Sequence, residues 1–334
     1  MKDLFKDQNQ LPQQFLNFVK EKHLIVNGDR LLIALSGGPD STALFDLLDN
    51  LKSDLGVTIA VAHYNHDQRG RESLADEQFV RELAKDRGVR AFFGRYSGGK
   101  LSENQARVKR YQFLGESLGE WPGDKVVIAH NLNDFSETLI FNLIRGAGIF
   151  GLSSIPLRRE KICRPLLKFS RQELLGYLSI RELKYRHDKS NDDLRFSRNR
   201  IRKNVIPELE IINKKAVSNL SRSAFLLAEQ SKMISELIEE KYNQIVILSN
   251  KNEIQYDQKK IAALSPALCR ELVVLAINRL KMRNDLSQKH FLAIENLVRK
   301  NIGNKKILPK KDLQISLNGG IIKITKINIG DDDE

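Results

Sequence analysis

The chain has 334 residues, enough for two domains and a sizeable core. A formal net charge of +13 and a pI of about 9.6 indicate a polyanionic partner, RNA or DNA ahead of a membrane surface, or else a merely basic soluble enzyme. The two cysteines, Cys163 and Cys269, lie far apart and form no C-x-x-C pair, which argues against a zinc ribbon, an iron–sulfur cluster or a disulfide scaffold.

No apolar run follows the charged N-terminus, and no stretch approaches the ~20 residues of a membrane span. The expectation is a cytoplasmic protein without a membrane partner. A helical stripe (Leu11, Phe15, Phe18, Val19) predicts a helix over residues 12–23. An apolar strand at 30–35 then runs into Ser36-Gly37-Gly38-Pro39-Asp40-Ser41, and a helical pattern (Ala43, Leu44, Leu47, Leu48, Leu51) follows over 41–52. Strand, glycine turn and helix N-terminus together build a phosphate site. Paired glycines let the backbone approach an anion, and the free N–H groups of the first helical turn face it. The lysine of a Walker A loop is absent. The structural alternative is a plain corner with Asp40 or Ser41 as N-cap.

A second buried strand, Val57–Ala62, ends at His63-Tyr64-Asn65-His66, and Ser73-Leu74-Ala75-Asp76 resembles a capping box opening a helix to about Arg87. A strand over Val89–Gly94, a helix over 103–118, a strand over Lys125–Ala129 and a helix over 134–145 complete the alternation. This order predicts an α/β fold, a parallel sheet wrapped by helices on both faces. Ligands of such sheets sit beyond the carboxyl ends of the strands, where Ser36–Ser41, His63–His66 and His130 all fall. Gly146-Ala147-Gly148-Ile149-Phe150-Gly151 spells G-x-G-x-x-G but follows a helix, so Gly146 reads as a helix cap and Gly148 and Gly151 as loop residues. Beyond Gly151 come a helix near 170–180, a strongly basic segment and, from about Asn213, a helical pattern. Leu308–Ile329 reads as a small hairpin turning at Asn318-Gly319-Gly320, and Asp331–Glu334 as a solvated acidic tail. A domain boundary is expected near 210–215, dividing the chain into 1–212 and a smaller helical or α+β domain, 213–334.

Asp134 and Glu137 lie three apart, on one helix face at a helix start. Two carboxylates there can hold a cationic substrate group or a magnesium ion, or Asp134-x-x-Glu137 can be a capping-box variant. His130, one turn earlier, suits a base or a cationic phosphate clamp. Arg107 and Arg110 share a helix face, either solvated or set to neutralise a leaving pyrophosphate. Arg195-Phe196-Ser197-Arg198-Asn199-Arg200-Ile201-Arg202-Lys203 carries five cations and no acid. With Phe196 and Ile201 as anchors, this segment fits contact with a nucleic-acid backbone, or a basic helix end.

Ser36–Ser41 resembles the PP-loop of the ATP pyrophosphatase superfamily, whose members cleave ATP between its α- and β-phosphates and adenylate a substrate. Further strings are similar to the tRNA(Ile)-lysidine synthetase family. They are Asn65-His66 with Arg69 and Ser73, Ala106-Arg107 with Arg110-Tyr111, and His130 with Asp134, Glu137 and Thr138. Arg145-Gly146 with Gly148 and Gly151-Leu152, Arg164-Pro165-Leu166, Asp188 with Ser190-Asn191, and Arg198 to Arg202 extend the match. The resemblance covers residues 30 to about 210; beyond 215 it is weak and fits the short form of the enzyme. It implies a PP-loop ATPase (adenine nucleotide α-hydrolase-like) domain and a small C-terminal tRNA-binding domain. It also implies a two-step ligase reaction at the wobble cytidine of tRNA(Ile) with anticodon CAU. ATP adenylates the C2 oxygen with release of pyrophosphate; L-lysine then displaces AMP, and the tRNA carrying lysidine reads AUA. On this resemblance Ser36, Gly37, Gly38, Pro39, Asp40 and Ser41 bind ATP, with Mg2+ at Asp40. Asp40, His130 and Arg107 serve the chemistry, and Asp134 and Glu137 hold the lysine. Arg195, Arg198, Arg200, Arg202 and Lys203 contact the tRNA, and a homodimer is one assembly it admits. The chain departs from the family pattern at Gln68, where leucine is usual, and at Asn133 and Phe135, where Asp-Asp-Gln is common around Asp134. The rivals are an RNA-thiolating member, which needs cysteines that Cys163 and Cys269 do not supply, and a non-catalytic RNA-binding protein.

Overall fold

The computed structural model describes residues 10–67, 70–99, 101–153, 155–186, 194, 196–282, 286–299 and 305–327. The chain divides into two compact units, residues 1–229 and 230–334, and one long helix runs through the division.

In the first unit, helix α1 (Leu11–Glu21) precedes β1 (Arg30–Ala34), α2 (Pro39–Leu55), β2 (Thr58–Asn65), α3 (Arg71–Asp86) and β3 (Arg90–Arg95). Next come α4 (Glu103–Glu120), β4 (Lys125–Val127), α5 (Leu132–Ile144), the short α6 (Ile149–Leu152), β5 (Arg158–Arg159) and β6 (Ile162–Cys163). The sheet order is β3-β2-β1-β4-β6-β5, parallel except for the β5–β6 pair. Leu31, Leu32 and Ile33 of β1 are fully buried, because a central strand is covered on both faces. One face packs Leu31 and Ile33 with α1 and α2 residues such as Phe15, Leu44 and Leu48; the other packs Leu32 and Ala60 with Leu114 and Leu118 of α4. The chain moves outward from β1 through β2 to β3 and then returns to β1's other side with β4. The order therefore reverses between β1 and β4, the switch point beyond whose carboxyl ends ligands of such sheets bind.

The first unit continues through α7 (Arg171–Ile180), α8 (Ser197–Arg200), a π-helical turn over Ile201–Val205 and α9 (Ile206–Ile212), into α10 (Ala216–Ile245). The second unit adds β7 (Val246–Ser249), β8 (Glu253–Asp257), α11 (Gln258–Ala262), α12 (Pro266–Arg279), α13 (Gln288–Arg299) and strands β9 (Lys305–Lys310), β10 (Leu313–Asn318) and β11 (Ile321–Lys326). These strands form an antiparallel sheet ordered β7-β8-β11-β10-β9, whose Ile254, Tyr256, Leu313, Ile315, Ile322 and Ile324 pack with Leu272, Val273 and Ile277 of α12. The expected hairpin is β10–β11. Gly319 and Gly320 both have positive φ (56° and 77°), the requirement of a two-residue primed turn between the paired Asn318 and Ile321.

Three local expectations are corrected. Helix α3 begins at Arg71 with Gly70 as its N-cap, so Ser73 and Asp76 lie inside the helix instead of boxing its start. The φ of +52° at Gly70 lets the chain enter the helix three residues earlier. Gly148 is the N-cap of α6 and Gly151 lies within it, so these two do not shape a plain loop. Phe196 is 40% exposed and belongs to no buried cluster among the described residues, whereas Ile201 is buried with Ile140, Ile206 and Val217.

Candidate active site

The loop after β1 stands at the switch point. Gly38 is the N-cap of α2 and Pro39 occupies its first turn, so neither Asp40 nor Ser41 is the cap. Serine hydroxyls shape the loop instead. Ser36 and Ser41 share a 3.0 Å Oγ–Oγ hydrogen bond, Ser41 Oγ also donates to the Gly38 carbonyl, and Gly38 N–H donates to Ser36 Oγ. Gly37 has φ +85°, and a Cβ there would stand 3.2 Å from Phe79 Cδ1 of α3. Only glycine fits. Its carbonyl is held by the Arg186 N–H at 2.8 Å, and the amides of Asp40 and Ser41 belong to a first turn that has no carbonyls of its own to offer them. Such a loop is built to receive an anion.

Across the switch point, Asn131 caps α5. Its side chain accepts from Asp134 N–H, and Asp134 Oδ2 accepts from Asn131 N–H, both at 3.0 Å. The capping box is thus Asn131–Asp134, and it leaves Asp134 Oδ1 and all of Glu137 for other work. Asn131 also bears on Asp40, opposing the rise of its pKa. Arg202 meets the two carboxylates as a fork: Nε to Glu137 Oε1 at 2.7 Å, Nη2 to Glu137 Oε2 at 3.0 Å, and Nη2 to Asp134 Oδ1 at 3.2 Å. Burial raises the Glu137 carboxyl above its ordinary range, against the pull of Arg202. Burial and the neighbouring Asp134 push Asp40 up to about 6. Asp40 Oδ1 is buried without a hydrogen-bond partner among the described residues. That orphaned oxygen fits a cation. No group of three or more His, Cys, Asp or Glu among the described residues can hold a metal unaided. A magnesium ion at Asp40 would complete its shell with phosphate oxygens and water, its usual arrangement.

His130 follows β4 and accepts at Nδ1 from Arg164 Nε, 3.1 Å away. Burial lowers its pKa to about 4, with Arg164, Arg110 and Arg107 acting in the same direction and Asp134 opposing. Arg107 and Arg110 therefore bear electrostatically on this site from α4, and both guanidiniums lie near the Tyr111 ring. His63, buried in β2, donates from Nδ1 to the Leu35 carbonyl at 2.9 Å and steadies the strand ahead of the loop.

The PP-loop domain family matches residues 7–209. The tRNA(Ile)-lysidine synthase of Clostridium perfringens (strain ATCC 13124) is 34% identical over 330 residues, 95% of this chain and 67% of that protein. That of Chlorobaculum tepidum is 37% identical over 238 residues, 69% of this chain and 71% of its own length. The chain belongs to the tRNA(Ile)-lysidine synthase family. It spans about 67% of the length of the first of these relatives. The U34-tRNA thiolase NcsA from Methanococcus maripaludis, solved with its 4Fe–4S cluster, has a TM-score of 0.57 with 19% identity, over 69% of this chain and 81% of that one. The likeness is one of fold. In this lysidine synthase relative, Cys163 and Cys269 are both buried and their thiols are pushed up to about 12 and about 11 by burial. Neither resembles the exposed, low-pKa thiol that sulfur chemistry uses.

The positions where this lysidine synthase relative departs from its family pattern have structural occupations. Asn133 Oδ1 accepts from the Arg171 N–H, and Phe135 is buried against Phe225 at 4.7 Å between ring centres. Of the basic run, Arg200 and Lys203 are exposed, Arg198 is partly buried, and Arg195 lies outside the described residues, as do Gln68, Arg69, Asp188, Ser190 and Asn191. Arg202 points inward to Glu137, apart from the exposed Arg200 and Lys203. The sequence reading gave no role to Asn131 or Arg171, the latter of which acts electrostatically on Asp40 and Glu137, and named Arg164 only within the Arg164-Pro165-Leu166 resemblance, without its bond to His130. Asn131 was legible as a cap three residues ahead of Asp134. The other two pair across sequence distances that no local pattern records.

Proposed function

We propose that the chain is an ATP-dependent ligase that joins L-lysine to C2 of the wobble cytidine of tRNA(Ile) with anticodon CAU, forming lysidine. One observation carries the reading: the anion-receiving loop Ser36–Ser41 and the carboxylate pair Asp134–Glu137 meet at a single switch point. The kinship over 95% of the chain to a tRNA(Ile)-lysidine synthase supports it. A C2 oxygen is a poor leaving group until it carries a phosphoryl substituent. In the first step that oxygen attacks the α-phosphorus of ATP, and the bond to the β-phosphate oxygen breaks with release of pyrophosphate. In the second, a neutral amine of lysine attacks C2, the C2–O bond breaks, AMP departs, and the new C–N bond sheds its amine proton.

Within this reading Ser36, Gly37, Gly38, Pro39 and Ser41 cradle the phosphates. Arg107 offsets charge gathering on the departing pyrophosphate. Asp40 would hold Mg2+, which when bound neutralises phosphate charge. Asp134 and Glu137 receive lysine's ammonium group, a role in which Arg202 now sits. Arg198, Arg200 and Lys203 supply tRNA backbone contacts, and residues 213–334, a helical linker and a small C-terminal domain, act as a second tRNA-binding region. A homodimer and a cytoplasmic location belong to the same proposal. The structure has no helix long and apolar enough to cross a membrane among the described residues.

The test is incorporation of radiolabelled lysine into a tRNA(Ile) CAU transcript with ATP and magnesium, repeated with Asp134→Ala and Asp40→Ala. Incorporation by the unaltered chain and loss in both variants is the expected result. Pyrophosphate release without lysine incorporation would replace lysidine synthesis by another adenylating modification, and absence of both would leave only RNA binding.

A further inference from the structure

We propose that Arg164 locks His130 as a neutral imidazole protonated at Nε2, so that His130 serves the site as a hydrogen-bond donor and not as a proton acceptor. Arginine Nε carries one hydrogen and no lone pair free to accept, so the 3.1 Å contact to His130 Nδ1 runs in one direction only. Nδ1 must present its lone pair. A neutral ring has a single proton, which is then on Nε2. An imidazolium would set N–H against N–H, and a flipped ring would set C–H against N–H; both leave a buried donor unpaired.

Arg164 cannot swing away to release the ring. It is 3% exposed and sits directly after β6, whose pairing with β4 (Val127 with Cys163) aligns the segment beside His130. Its Nη1 donates to the Pro156 carbonyl and its backbone N–H to the Leu157 carbonyl, each at 2.9 Å. Cys163, Leu166 and Leu167 around it are fully buried. The charged groups facing His130 are Asp134 from α5, Arg164 itself, and Arg107 and Arg110 from α4, three cations against one acid. Asp134 is already engaged by Asn131 N–H and Arg202. The balance discourages a second proton on the ring. Nε2 makes no hydrogen bond among the described residues, so its proton is available to an acceptor oxygen at the switch point, whether of a phosphate or of the base. That catalytic use rests on the lysidine-synthesis reading; the tautomer does not.

The decisive measurement is ring-nitrogen NMR on protein labelled with 15N-histidine, without substrates, with His130 assigned by its loss in His130→Gln. The expected spectrum has Nδ1 unprotonated and Nε2 protonated, unchanged from about pH 5 to 8. Protonation at Nδ1, or titration inside that range, overturns the proposal. Arg164→Met should let the tautomers mix; an unaltered spectrum in a folded Arg164→Met protein also overturns it. In lysine incorporation, His130→Gln keeps an N–H donor near Nε2, so its kcat/KM should exceed that of His130→Ala by about tenfold, the worth of one good hydrogen bond. Equal loss in the two refutes the donor role. If the unaltered chain incorporates no lysine, the proposed function fails while the spectra still decide the tautomer.

Discussion

Replacing Arg202 by glutamine should destabilise the first unit in a way that grows with pH. The Glu137 side chain is 2% exposed, and its two oxygens take bonds of 2.7 and 3.0 Å from the guanidinium. Removing one partner of such a pair leaves a buried, uncompensated charge, at a cost of about 3–5 kcal/mol. The carboxyl can escape that cost by taking up a proton. From its ordinary value of 4.5, protonation at neutral pH costs about 3.4 kcal/mol, at 1.36 kcal/mol per unit. The ceiling is therefore about 3 kcal/mol near pH 7 and under 1 kcal/mol near pH 5. The sign follows from linkage: with its folded pKa raised further, Glu137 holds more protons folded than unfolded, so stability falls as pH rises above 4.5. For a unit of this size, about 3 kcal/mol lowers Tm by roughly 6–12 °C. Thermal unfolding of Arg202→Gln, Glu137→Gln and the double variant, at both pH values, measures this directly. The double variant should recover most of the loss, with a coupling above about 2 kcal/mol. A single-variant loss that is equal at the two pH values, or additive effects, would refute the reasoning.

Metal-free Asp40→Asn should gain up to about 3 kcal/mol near pH 7.5 and nothing near pH 4. A carboxyl raised from 3.8 to about 6 loses stability as pH climbs through that window, and denaturant unfolding at both pH values checks it. The same variant should lose lysine incorporation. Gly37→Ala forces a side chain into φ +85°, 3.2 Å from Phe79, at about 1–2 kcal/mol. It should keep its circular dichroism while pyrophosphate release falls at least tenfold. Cys163→Ala and Cys269→Ala should retain lysine incorporation within about twofold after correction for the folded fraction, since both thiols are buried and remote from ionisation. Loss of turnover in a folded variant would reopen the thiolation reading.

The parallel sheet was legible because Leu31–Leu35 is an unbroken apolar run leading into Ser36 and two glycines, and β2, β3 and β4 are each followed by a helix. That shared geometry places Ser36–Ser41 and His130 at neighbouring strand ends before any coordinates are known. What stayed hidden was partnership. Arg202 stands among four other cations and looks like one of them; its inward turn comes from Ile201 burying beside Ile140 in a π-helical turn, a tertiary event. Arg164 meets His130 only because β6 lies next to β4. In the second unit, β8 alternates buried Ile254 and Tyr256 in strand fashion, but β7 is an edge strand whose residues Ile247, Leu248 and Ser249 are exposed, so its pattern carries no burial signal.

The fork of Arg202 on Asp134 and Glu137 has a consequence for any cation arriving from solution. That newcomer competes with a tethered rival whose local concentration is set by the chain and does not fall on dilution. Its apparent affinity is reduced by the fraction of molecules in which the fork has opened. A bare ammonium ion has little means of prevailing. A ligand that brings further anchoring groups is better placed to displace that rival. Any cation that is to reach the two carboxylates has first to displace the guanidinium.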